Sequence, residues 1–194
     1  MINLANTILT VSNSVLDSID MSHYPSKYQQ THSKGSSEYY NWISGKEHYR
    51  LLTYITNELS DHVLIDIGTL NGWSSIALGT NKTNKVISFD ILQQKDVLSI
   101  KEPNISYVIG NILEKENDDL LVSSPFILLD TYHDGGFEQQ CIDKLVNIKY
   151  KGVLMLDDIY LTEGMRLLWD SISLPKHDIT HIGHSSGTGI VLFN

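Results

Sequence analysis

The stretch VLIDIGTLNGWSSIALG, Val63 to Gly79, decides the fold. Its first residues are apolar almost without interruption, as expected of a strand buried on both faces of a parallel sheet. Gly68 and Gly72 then bracket a loop in which the backbone can approach a ligand closely, and NGWSSIALG reads as the helix that follows. Downstream, four runs repeat the strand pattern: KVISFD (Lys85–Asp90), ISYVIG (Ile105–Gly110), PFILLD (Pro125–Asp130) and GVLMLD (Gly152–Asp157). Between and after them lie the helical or polar segments QQKDVLSIK, LEKENDDLLVSS, GGFEQQCIDKLVNI and TEGMRLLWDSIS. Such alternation predicts an α/β, doubly wound, mostly parallel sheet. The ending differs, because DITHIG (Asp178–Gly183) and GIVLFN (Gly189–Asn194) are joined through HSSGTG with no room for a crossover helix. They predict a C-terminal antiparallel hairpin, which makes seven strands.

Upstream, KEHYRLLTYITNELS from Lys46 reads as a helix, and residues 1–45 are rich in Ser, Asn, Tyr and His with weak periodicity. The expected organisation is an N-terminal cap or lid over residues 1–45, with one short helix within Thr7 to Ile19, and a single domain over residues 46–194. A total of 194 residues against roughly 150 for a typical domain agrees with one domain and an appendage. The 14 basic and 23 acidic residues leave a net charge of −9, which argues against nucleic acid and anionic membrane as partners. The N-terminus has no basic n-region and no run is long and apolar enough to span a bilayer, so a cytoplasmic protein is expected. Cys141, the single cysteine, has no intrachain partner, and within an apparent helix it reads as packing.

In open α/β sheets ligands bind beyond the carboxyl ends of the strands. Here those ends read Asp66-Ile67-Gly68, Asp90, Gly110-Asn111, Asp130 and Asp157-Asp158. Leu70 stands where a dinucleotide fingerprint would carry its second glycine, and no Gly-Lys-Ser/Thr is present, so neither NAD nor a phosphate-cradling loop is supported. Asp90 follows Gly68 by 22 positions, where a carboxylate can accept from both hydroxyls of a ribose. An adenosine-type ligand is indicated.

DIGTLNGWSS, followed by FD at the second strand end and GN at the third, resembles the Rossmann-like class I S-adenosylmethionine-dependent methyltransferases, and the closing hairpin resembles their reversed last strand. The resemblance covers roughly Lys46 to Asn194. It implies that Gly68 and Gly72 flank the methionine part of S-adenosylmethionine, Asp66 its amino group, Asp90 its ribose and Asn111 its adenine. Many members carry Asp where this chain has Asn111; an amide can still donate to and accept from an adenine edge.

FILLDTYHDG and GVLMLDDIY bring three carboxylates, Asp130, Asp157 and Asp158, to the ends of neighbouring strands. Uncompensated anions in a cleft repel, and a divalent cation is the simplest relief. The set resembles the metal-dependent O-methyltransferases of the catechol and small-sugar type, which implies Mg²⁺ or another divalent cation, held by Asp130, Asp157 and Asp158, that orients a vicinal diol. His133 stands where the catechol enzymes carry a basic Lys, and an imidazole suits proton removal; orienting a ligand or capping a helix is its alternative role. The sugar enzymes often have a further Asp where this chain has Tyr132, and Asp134 is placed to cap the following helix. His181 and His184, three apart on a presumed strand, would face opposite ways, which argues against a metal pair.

The expected activity is therefore a metal-assisted O-methyltransferase acting on a small hydroxylated acceptor, catechol- or sugar-diol-like, with Asp130 and His133 in the catalytic roles. Tyr39, Tyr40, Trp42, Tyr132 and Tyr160 could flank a ring or a sugar face. A metal-independent methyltransferase and a non-catalytic cofactor-binding module are the alternatives. The N-terminal segment could cover the chain's own pocket or a neighbour's in a homodimer.

Overall fold

Side chains alternate across a strand, so a fully apolar strand serves two cores at once, and a doubly wound sheet follows from that demand. In the computed structural model, which describes residues 4–22, 24, 27, 36–92 and 96–194, seven strands form one sheet in the order β3-β2-β1-β4-β5-β7-β6. The strands are β1 (Val63–Ile67), β2 (Lys85–Asp90), β3 (Ile105–Ile109), β4 (Phe126–Leu129), β5 (Gly152–Asp157), β6 (Lys176–Asp178) and β7 (Thr188–Phe193). β1 to β5 run parallel, and β7 lies antiparallel between β5 and β6. The order reverses between β1 and β4, the switch point where an open sheet leaves a crevice.

One face packs Leu64, Val86, Leu128, Val153, Met155 and Ile190 against the N-terminal helices α1 (Leu4–Thr10) and α2 (Asn13–Asp17), and against α4 (Tyr49–Asn57) and α5 (Trp73–Leu78). A short α3 (Ser36–Tyr39) precedes α4. The other face packs Ile65, Ile67, Ile127, Leu129, Leu154 and Val191 against α6 (Asp118–Ser123), α7 (Gly136–Asn147) and α8 (Glu163–Ser171). Cys141 is buried in this second core, and burial pushes its thiol up to about 12. By the same alternation Asp66, Asp90 and Asp157 share parity with Leu64, Val86 and Met155, which directs them toward the α4 face. That parity is what brings α4 into the site.

The structure differs from the sequence reading in three places. Thr7 to Ile19 is two helices, because Ser12 is extended (φ −101°, ψ 156°) and its carbonyl starts α2 by accepting from Val15 and Leu16. The hairpin's first strand lies at Lys176–Asp178, upstream of most of DITHIG. Asp178 Oδ1 ends it by accepting from Thr180 N at 2.9 Å and from Thr180 Oγ1 at 2.6 Å, and residues 179–183 turn instead. The described part of QQKDVLSIK is a 3₁₀ turn at Asp96–Ser99, and residues 93–95 lie outside the described residues. β3, an edge strand, is only partly buried despite its apolar residues.

Candidate active site

A cavity of about 520 Å³ opens at the carboxyl ends of β1, β2, β3 and β4, lined among others by Gly68, Asp90 and Asn111 on one side and by Asp130, Tyr132 and His133 on the other. The volume is that of an ordinary small-molecule site. Gly68 makes this possible: its φ is 105°, and a Cβ there would stand 1.6 Å from the Asp130 carbonyl oxygen. Only glycine lets the β1 loop and the end of β4 meet so closely. Asp90 Oδ2 accepts from Leu70 N at 3.2 Å and its Oδ1 from Leu92 N at 2.9 Å, so the carboxylate shapes the cavity wall. Asn111 Oδ1 accepts from Leu113 N at 3.0 Å.

Asp66 and Gly72 are not among the residues lining that cavity. Gly72, at φ 79°, caps α5 and faces Ile100, Tyr107 and Val97. Asp66 is sealed from solvent; its Oδ2 accepts from Ser88 Oγ at 2.7 Å and Ser74 Oγ at 3.0 Å, while Oδ1 has no hydrogen-bond partner. Burial raises its carboxyl to about 7 against the lowering effect of the two serines.

The three carboxylates assigned to a metal are interleaved with imidazoles. His48, Asp130 and Asp157 form one group of donor atoms within 4.8 Å of one another, and Asp157, Asp158 and His184 form a second, so Asp157 is shared. Glu47 joins His48 and His184 in a third. His133 Nε2 spans the outer pair, 3.3 Å from Asp130 Oδ1 and 3.4 Å from Asp158 Oδ2. Sequence reasoning missed Glu47 and His48, which lie at the start of α4, and set His184 aside because it presumed a strand. In the observed turn His181 is exposed and His184 points to Asp158, with Nδ1 to Oδ1 at 3.0 Å. Ser186 Oγ donates to the same Asp158 oxygen, and Thr188 Oγ1 donates to Asp157 Oδ1 at 3.4 Å.

The α4 start is docked against this turn: Ser185 N donates to Lys46 O at 3.4 Å, and a Cβ on Gly45 would stand 2.7 Å from His181 O. Burial lowers the His48 imidazole, but the Asp157 and Glu47 carboxylates outweigh it and hold the group at about 10. His184 is likewise raised, to about 11, by Asp157 and Asp158 against burial. Asp157 responds in the opposite sense: burial pushes it up, and the two imidazoles pull it well below the usual carboxylate range. Burial raises Asp130. His133 is raised as well, its carboxylate neighbours outweighing burial.

The β4–α7 loop holds His133 in the left-handed region at φ 57°, and Asp158 sits there at φ 58°. Both are uncommon for residues other than glycine. Buried Glu138 secures the first by accepting from His133 N at 2.8 Å, Thr131 Oγ1 at 2.7 Å and Gly135 N at 3.0 Å. Asp134 caps α7 as expected, accepting from Gly136 N at 2.8 Å. Of the aromatic residues, Tyr40 is buried and stacked on Tyr49, Tyr160 donates to Asp178 Oδ2 at 2.7 Å, and Tyr132 is exposed on the cavity. Tyr39 and Trp42 are partly exposed and pack edge to face with ring centroids 4.5 Å apart.

No family model matches the sequence, and no curated protein matches it. Solved structures do. A methyltransferase from Geobacter sulfurreducens superposes with a TM-score of 0.61 at 11% identity, over 98% of this chain and 96% of that one. A Staphylococcus aureus protein provisionally assigned as a caffeoyl-CoA O-methyltransferase gives 0.59 at 13% identity, with 100% of both chains covered. Cofactor-bound Rv0187 from MTB gives 0.57 at 15% identity, over 98% of this chain and 89% of that one. At such identities the likeness speaks to architecture, and it agrees with the strand order and the reversed β7. The chain has the fold of the class I methyltransferases.

Proposed function

We propose that this protein is an S-adenosylmethionine-dependent, divalent-metal-assisted O-methyltransferase acting on a small hydroxylated acceptor, catechol- or sugar-diol-like. The observation that carries the reading is one cavity lined both by the residues assigned to the cofactor, Gly68, Asp90 and Asn111, and by Asp130 and His133. The residues fit both groups. Asp66 Oδ1 is a buried acceptor without a donor, which an ammonium would satisfy, and Gly72 ends the loop as the N-cap of α5. Asp130 lines the cavity, and Asp157, grouped with Asp130 on one side and with Asp158 on the other, extends the set of oxygen donors.

When bound, the cofactor would supply an electrophilic methyl group, and a divalent cation would lower the pKa of an acceptor hydroxyl and fix its direction. The chain's own work is positional and protic. Asp90 would hold the ribose, Asn111 the adenine edge and Asp66 the amino group. His133 Nε2, made more basic by Asp130 and Asp158, would take the proton of the acceptor hydroxyl as that oxygen receives the methyl group. Exposed Tyr132 offers a face against which an acceptor ring can lie.

Labelled cofactor and a panel of diols, with and without EDTA, test the proposal. Transfer that stops on chelation is expected; transfer indifferent to EDTA removes the metal. Asp157→Asn should lower metal-dependent turnover by about 10–100-fold or more while sparing most cofactor affinity. Equal loss of both would contradict that division. One observation favours a metal-independent enzyme as the second reading: Asp158 Oδ1 is already engaged by His184 and Ser186.

A further inference from the structure

His48 is a buried imidazole whose placement no aligned hydrogen bond explains. Its side chain is 3% exposed, and neither ring nitrogen is aligned for a hydrogen bond. Nδ1 nevertheless lies 3.2 Å from Glu47 Oε1 and 3.3 Å from Asp157 Oδ1. Buried polar atoms left in this state are rare and costly, and each one asks for a partner. Donor atoms that crowd together without aiming at one another are what a coordination sphere looks like. Four ligands held tetrahedrally at about 2.0–2.1 Å from an ion stand roughly 3.3 Å apart along each edge.

We infer that the cation of this site is ligated by the His48 imidazole together with Asp157 and Asp130, and that it is a first-row transition ion of the Zn²⁺ or Co²⁺ class in preference to Mg²⁺. The inference rests on the proposal above that the site holds a cation, and it goes further by naming a nitrogen ligand and hence the metal class. Imidazole suits zinc, iron and nickel, whereas Mg²⁺ takes oxygen donors in octahedral geometry and dehydrates reluctantly. The three donors converge within 4.8 Å. The backbone fixes the ring from both ends: His48 N donates to Glu47 Oε1 at 2.9 Å and His48 O accepts from Leu52 N at 3.0 Å in the first turn of α4.

His184 has a different part. Its Nδ1 lies 2.7 Å from Ser186 Oγ as well as 3.0 Å from Asp158, so it is already occupied and acts as a positioning residue for the carboxylates.

The test uses the full chain stripped of metal by chelation and reloaded with Zn²⁺, Co²⁺ or Mg²⁺ alone. X-ray absorption of the Zn²⁺-loaded wild-type protein should show imidazole scattering, a readout that needs neither a variant nor activity. Calorimetry should show one Co²⁺ per chain, bound at least about tenfold more tightly than Mg²⁺, and His48→Gln should erase that preference by weakening Co²⁺ alone. Methyl transfer that stops on chelation, with no imidazole signal and equal affinities for the two ions, overturns the inference and leaves the proposed function standing. Imidazole scattering in a protein that transfers no methyl group upholds the inference and sinks the function. Failure of all three ions to bind defeats the inference directly and leaves His48 as a buried imidazolium between carboxylates.

Discussion

Asp66 shows how far one side chain can be read. Its folded carboxyl, near 7, lies above the unfolded value of 3.8, so the folded chain binds the proton more tightly. Between those values the unfolded chain is already ionised, and the free protein loses stability as pH rises from about 4 through about 7. At about 1.4 kcal/mol per pH unit, a gap of about three units corresponds to about 4 kcal/mol. Asp66→Asn should therefore melt well above wild type at pH 8, with the difference closing toward pH 4; parallel profiles would mean that the native carboxyl is not held neutral. An ammonium placed at Oδ1 would draw the group down again. Binding of S-adenosylhomocysteine near pH 7 should then release a proton, read as a buffer-dependent enthalpy in wild type and absent in Asp66→Asn.

Among the elements, the β4–α7 loop is the most tightly specified. Glu138 is buried and satisfies three donors of the loop, two of them backbone. Glu138→Gln forfeits charge-assisted bonds and turns one acceptor into a donor, so a loss of about 1.5–3 kcal/mol in urea unfolding is expected. A midpoint unchanged within error would show that the loop is held by other contacts. Gly68→Ala should cost about 2–4 kcal/mol, combining a left-handed backbone with a clash against the Asp130 carbonyl, and a wild-type melting temperature would refute that packing. Asp134 and Glu138 were readable to different degrees. Asp134 stands beside the helix it caps and needs only local geometry. Glu138 is the third residue of α7, so its bond back to Gly135 N follows capping-box spacing, but nothing in that spacing shows that it also reaches residues 131 and 133. His48 was hidden for a similar reason, since the residue just before an amphipathic helix gives no hint of the sheet edge it will meet. His184 was obscured by a strand assignment that the Asp178 turn overrides.

At the scale of the molecule, the alternation of apolar runs made the five parallel strands and the reversed β7 legible, because buried strands leave a strong local pattern, whereas the short polar β6 left none. The packing of the first residues was not legible, because weak periodicity does not show what an isolated apolar residue will touch. Leu4, Ile8, Leu16 and Met21 are buried in the same core as Leu51, Leu64 and Met155. Arg50 ties this segment down, donating through Nε to Trp42 O at 3.0 Å and through Nη1 to the carbonyls of Asp17 and Ile19. Four buried apolar side chains at roughly 1.5–3 kcal/mol each amount to a large part of the roughly 5–15 kcal/mol that holds a domain together. A chain lacking residues 1–22 is expected to lose its cooperative thermal transition by circular dichroism; a sharp transition near the wild-type temperature would identify the segment as a detachable lid.

The seating of the Asp130 carbonyl against Gly68 has a thermodynamic consequence. A loop that adjusts to one ligand must carry the other ligand's carboxylate with it, so the two affinities are linked. Linkage is reciprocal: whatever factor the cation changes in the dissociation constant of S-adenosylhomocysteine, the nucleoside must change in that of the cation. Calorimetric titrations run in both orders should return the same factor.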